Sequence, residues 1–212
     1  SKERTALKRL YGDIKMTWAK VVLFAVVAGV YTGLVMLVPF LKGTSFQDIG
    51  ISYEWWVIFA VIVVVNCEKS WEAMLKCFIF FLISQPLVYT VEILAGTLSF
   101  DMAWGYYVHT WLPQTLLTLP GGFIAYFCKK QNVLGGVILG IGNSIQALMA
   151  LWYFKEASIH FPFHLLSGLV AAGSIILMSV MIQKEKKNRL VAILTPVVLV
   201  AAILVLAKVT GR

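Results

Sequence analysis

The stretch "EAMLKCFIFFLISQPLVYTVEILAG", residues 72–96, decides what kind of fold this chain takes. About 20 helical residues cross a hydrocarbon core of about 30 Å, and most of this run belongs in hydrocarbon. A few polar side chains interrupt it. Gln85, Tyr89 and Glu92 follow one another at intervals of four and three, which places them on one helix face. Either that face lines something wet, or it joins one helix to another.

The rest of the chain has the same character. Of its 212 residues 60% are hydrophobic and 13% charged, where a soluble domain averages about a quarter charged. The mean hydropathy is +0.85. Apolar runs recur at roughly 18–41, 51–66, 72–96, 105–128, 133–154, 163–182 and 190–208. The expected fold is therefore all-α: a polytopic membrane protein, a compact bundle of about seven transmembrane helices. Residues 1–17 are expected as a basic cytoplasmic segment, either a solvated tail or a short amphipathic helix on the inner leaflet. Residues 18–212 are expected as a single transmembrane domain, with the first run retained as a span and not cleaved as a signal peptide. The run 51–66 is short for a span, and Trp55 and Trp56 are expected to anchor its outer end while Glu54 reaches up to water.

Lysine and arginine set the expected orientation. With the N-terminus inside, the inner segments hold fourteen of the 18 basic residues, and only Lys42, Lys155, Lys208 and Arg212 fall outside. That positive-inside pattern fits seven spans with the N-terminus in and the C-terminus out. The net charge of +8 then follows from topology and from contact with anionic headgroups at the cytoplasmic face. No nucleic-acid partner is needed to account for it. Cys67, Cys77 and Cys128 all fall on the cytoplasmic side and lack paired spacing, so free thiols are expected.

Loops are short. Ser70 is placed to cap the third span, with Glu72 in its first turn. Small residues form stripes that let helices approach closely: Ala25, Gly29 and Gly33, then Gly136, Gly140 and Asn143, then Gly168, Ala171, Ala172 and Gly173. The stronger polar groups gather by depth. Gln85 lies near the midplane, with Tyr89 and Glu92 further out; Gln114 and Thr118 share a face in the fourth run; Asn143, Ser144 and Gln146 lie from the middle of the fifth outward. Backbone breaks fall in the third and fourth runs, at Pro86, Pro113, Pro120, Gly121 and Gly122. Broken helices are tolerated where they pack in protein or line a cavity, and in transporters they often mark the substrate site.

This coincidence of depth gives the expected site, a polar cavity in the outer half of the bundle. Its expected solute contacts are Gln85, Tyr89, Glu92, Gln114, Thr118, Asn143 and Gln146. Aromatic residues near the outer face, including Trp104, Tyr106, Tyr107, Trp111 and Trp152, belong mostly to the interfacial belt. His109, His160 and His164 form no paired metal motif, so neither a metal nor a cofactor is expected. Hydrolase, metalloprotease and phosphate-loop signatures are absent, and no enzyme is expected.

The layout resembles that of small vitamin- or solute-binding uptake components, an analogy that leaves function open. The first functional expectation is a small-solute transporter, or the solute-binding membrane subunit of an uptake system, acting with lipid, a small-molecule solute and a partner transport subunit in the cell membrane. The second is a non-transporting receptor-like, immunity or assembly protein whose polar residues are glue between helices. A weaker third is an intramembrane enzyme acting on lipid, which would need an acid–base pair.

Overall fold

The computed structural model describes residues 9–210, with backbone alone at 49–51. Among the described residues every regular element is helical. We number the α-helices α1 (Trp18–Met36), α2 (Ser45–Ile51), α3 (Tyr53–Val65), α4 (Ser70–Leu94), α5 (Phe100–Tyr106), α6 (Leu112–Ala125), α7 (Val133–Ile159), α8 (Leu165–Ile182) and α9 (Lys186–Val209). Six stretches are long and apolar enough to cross a membrane: Trp18–Met36, Ser45–Val65, Ser70–Leu94, Val133–Ile159, Leu165–Ile182 and Lys186–Val209. The chain is a polytopic membrane helical bundle.

Two expected spans differ in detail. The second begins earlier than residue 51, because α2 precedes α3 and the pair breaks at Ser52, which has extended backbone. The fourth is not one long α-helix. α5 runs into a π-helical turn at Tyr107–Trp111, then into α6 and a 3₁₀ turn at Tyr126–Lys129. Pro113 lies near the start of α6 and Pro120 inside it. Each removes a backbone donor; the register changes at the π turn just ahead of Pro113, while α6 runs on through Pro120.

The helices start where the sequence supplies acceptors. Thr17 accepts from the amide of Lys20, Ser99 from Met102 and Asn132 from Gly135. Ser70 is a correction: it is the first residue of α4 and caps nothing, while Glu72 reaches back to the amide of Glu68 at 3.2 Å.

Glycine sets the helix contacts, as the small stripes require. A Cβ on Gly29 would meet the carbonyl oxygen of Ser84 at 2.5 Å, so α1 lies directly on the backbone of α4. Gly140 meets Thr195 as closely, which seats α7 on α9. Around α3 the core is aromatic, with Phe24, Trp56, Phe59, Phe80 and Phe81 in mutual ring contact. The expected anchoring of α3 by Trp56 is therefore corrected: the ring is 4% exposed and belongs to this core. Outward faces carry Leu23, Val27, Leu204 and Val205, which face lipid.

One end of the bundle is latched by its connecting segments. Lys76 Nζ donates to the carbonyl of Met16 at 2.7 Å, Lys129 to that of Cys67, and Gln183 to that of Cys128. Asn66 accepts from the Ile14 amide and donates to the Leu10 carbonyl. Lys15, Lys69, Lys130, Lys184, Lys186, Lys187 and Arg189 lie on or beside these segments, and we call this the basic end. Of the expected N-terminal segment, residues 1–8 lie outside the described residues. Cys67, Cys77 and Cys128 are free and buried.

Candidate functional site: an aromatic groove beside a buried acid cluster

Adjacent residues of α3 serve two neighbouring places. Tyr53 opens onto a groove of about 370 Å³. Glu54, only 1% exposed, is instead packed with residues of α7.

The groove lies between α3, α4, α6 and α7. Trp56, Phe81 and Trp111 supply its walls, and Gln114 and Thr118 its polar atoms. Tyr53 stacks on Trp111 with ring centroids 5.6 Å apart and 29° between planes. Gln114 Nε2 donates to the Tyr53 hydroxyl at 3.4 Å, while Thr118 spends its hydroxyl on the Thr115 carbonyl of its own helix. The local sequence explains the opening. The π turn ends on Trp111, and such turns re-aim side chains at functional sites. Gly122 brings α6 onto α4, where a Cβ would meet Ala73 O at 3.0 Å. Gly142 does the opposite: a Cβ there would meet nothing within 4 Å, so its bare backbone leaves space.

The acid cluster lies at the end away from the basic loops. His164 Nδ1 is 2.7 Å from Asp48 Oδ2, and the Ser167 hydroxyl donates to the same oxygen at 2.6 Å. The Ser167 amide donates to Ser45 Oγ. On the other side of Ser52, Glu54 Oε1 lies 2.6 Å from Ser52 Oγ, and Gln146 Nε2 donates to the Glu54 backbone oxygen at 2.9 Å. Tyr153 lies against Glu54 and stacks on His164 at 6.0 Å and 14°. α2, α3, α7 and α8 thus bring two carboxyls, an imidazole, a phenol and three hydroxyls together. Among the described residues no three His, Cys, Asp or Glu side chains group as metal ligands.

The expected solute contacts do not share one cavity. Gln114 and Thr118 line the groove. Tyr89 joins it from behind, its hydroxyl taking a hydrogen bond from the Trp111 indole. Glu92 is half-buried one turn beyond Tyr89. Gln85 is 2% exposed, stands apart from the groove wall, and its Nε2 has no partner among the described residues. Asn143 donates to Ser179 Oγ and to the Ala192 carbonyl, so it ties α7 to α8 and α9. Gln146 belongs to the acid cluster.

Sequence reasoning missed Asp48, Ser52 and Ser167, placed Trp111 and Tyr153 in the interfacial belt, and sent Glu54 to water. Glu54 stays inside because Ser52 and the α7 residues Gln146 and Tyr153 close on it, and that cover is not visible in the local pattern around residue 54. An acid six positions after another acid in an apolar run was the available signal.

No family model, curated protein or solved structure matches this chain.

Proposed function

We propose that this protein binds a small, mainly apolar solute in the aromatic groove, as a transporter or as the solute-binding membrane subunit of an uptake system. The observation that carries this reading is the Tyr53–Trp111 stack over a groove of about 370 Å³ whose polar wall includes the Gln114 amide. Ligand sites in proteins are commonly about 300–1,000 Å³, mostly apolar, with a few placed polar groups. Stacked aromatics hold a flat or apolar body, and one amide fixes its orientation. The π turn on one wall interrupts the α-helical path and supplies the element that moves during alternating access. In this reading the protein sits in the cell membrane with its basic end toward the cytoplasm, and the groove lies in the outer half.

A second reading has its own support. Leu117 and Ile145 line the groove and are 67% and 43% exposed on the lipid-facing surface. A lipid acyl chain entering sideways would fit the same walls.

Tryptophan fluorescence of the protein in bilayers tests both. Quenching of Trp111 by brominated acyl chains, unrelieved by any water-soluble solute, favours lipid. Protection of Trp111 by a solute, lost in Gln114→Leu, favours solute binding. A Trp111 signal indifferent to both would end the groove reading.

A further inference from the structure

Ser52 has one hydroxyl hydrogen and two oxygen neighbours within its reach, one of which, the Asp48 backbone oxygen, also takes the Ser52 amide. Its Oγ touches the backbone oxygen of Asp48 and lies 2.6 Å from Glu54 Oε1. A carboxylate is an acceptor only. With Glu54 ionised, one of those contacts sets oxygen against oxygen with no hydrogen between them. With a proton on Oε1 both are satisfied: Glu54 donates to Ser52, and Ser52 donates to the Asp48 carbonyl.

A second observation points the same way. Glu54 Oε2 and Gln146 Oε1 are both buried acceptors with no partner among the described residues, and their residues are 1% and 0% exposed. Gln146 is fixed there because its Nε2 donates to the Glu54 backbone oxygen. In this pocket the Tyr153 hydroxyl brings one hydrogen to Glu54 and Ser52, and Glu54 Oε2 and Gln146 Oε1 still stay without a partner.

Nor does a fixed cation neutralise it. The ion pairs among the described residues are Lys76 with Glu72 and His164 with Asp48. The titratable groups around Glu54 are Asp48 from α2, Tyr153 from α7 and, behind Asp48, His164 at the start of α8. Asp48 differs from Glu54: its Oδ2 takes the Ser167 hydroxyl and faces His164 Nδ1.

We propose that Glu54 is a proton-binding site. It holds one proton on Oε1 at neutral pH, bonded to Ser52, and exchanges it with water at the end of the bundle where Asp48 and His164 lie. Only an O–H bond forms and breaks; the proton comes from water and returns to it. Ionisable groups at membrane depth serve proton relays and coupling sites. The site stands on the surroundings of Glu54 and holds whether or not the groove takes a solute.

Infrared spectra of the full chain in lipid bilayers test it. Wild type is expected to show the C=O band of a neutral carboxylic acid at neutral pH, absent in Glu54→Gln and retained in Asp48→Asn. Ser52→Ala, which keeps the acid, should shift that band. If the Glu54→Gln difference spectrum lacks the band, or Ser52→Ala leaves it unmoved, the proposal is overturned. A sodium-dependent rise in wild-type stability without the band would overturn it too, in favour of a metal cation. Should Glu54→Gln fail to fold, the Ser52→Ala shift still decides.

Discussion

His164 Nδ1 lies 2.7 Å from Asp48 Oδ2, although the two residues stand 116 positions apart in the chain. The contact pins the start of α8 to α2, and Ser167 reinforces it one turn into the helix. Hydrogen bonds to a charged group contribute about 1.5–3 kcal/mol. His164→Ala is therefore expected to lower unfolding stability in detergent by about that amount, and Asp48→Asn by less, since the amide still accepts from Ser167. Equal stability of wild type and His164→Ala would show that the pair does not hold the two helices.

Gly29 and Gly142 make opposite predictions. A Cβ on Gly29 meets Ser84 O at 2.5 Å and Leu87 Cβ at 2.9 Å, so Gly29→Ala must push α1 off α4. Overpacking of this kind costs about 1–3 kcal/mol. Gly142→Ala has nothing within 4 Å and projects into the groove. It should leave the melting temperature nearly unchanged while reducing solute binding. The reverse ranking would show that the α1–α4 contact is loose.

Gln114 and Asn143 separate binding from glue. Asn143→Leu removes two interhelical hydrogen bonds, worth on the order of 0.6 kcal/mol each in a bilayer. Stability should drop by about 1 kcal/mol with binding intact. Gln114→Leu should do the opposite, weakening solute binding by about 1–3 kcal/mol, or roughly 5- to 150-fold. Calorimetric binding alongside thermal unfolding reads both, and a binding loss confined to Asn143→Leu would move the site away from the groove.

Cys67 lies in the loop between α3 and α4, and burial pushes its thiol up from 9.0 to about 11. The folded state therefore keeps the proton longer than the unfolded chain does. Its contribution to stability is fully present below pH 9.0 and is lost as pH rises through about 11. Wild type should lose stability across that window more steeply than Cys67→Ala. Alkylation of Cys67 by a water-soluble maleimide should be slow at neutral pH, because the thiolate is the reactive form. Fast labelling of the folded protein would contradict the buried placement.

Topology can be read by labelling single engineered cysteines from each side of intact cells. Positions 129–131 and 184–189 belong to the latched basic end and should react only from inside. Positions 155–161 lie at the opposite end and should react only from outside. Reaction of 184–189 from outside would reverse the orientation.

The sequence by itself determined the helices. A span expected at 72–96 forms as Ser70–Leu94, since a backbone in hydrocarbon must satisfy its own hydrogen bonds and a long apolar run leaves little alternative. It determined close contact at Gly29, Gly33, Gly136 and Gly140 as well, because a residue without a Cβ matters most where another helix comes near. The tertiary structure alone decided which faces meet. Periodicity put Gln85, Tyr89 and Glu92 on one stripe, but the angle of that stripe about the helix axis depends on what packs beside it. With α1 drawn onto α4, Gln85 stays inside the bundle and out of the groove wall, while Tyr89 reaches Trp111. The junction of Asp48, Glu54, Tyr153 and His164 was hidden for the same reason: four short local patterns become one site only when α2, α3, α7 and α8 close around it.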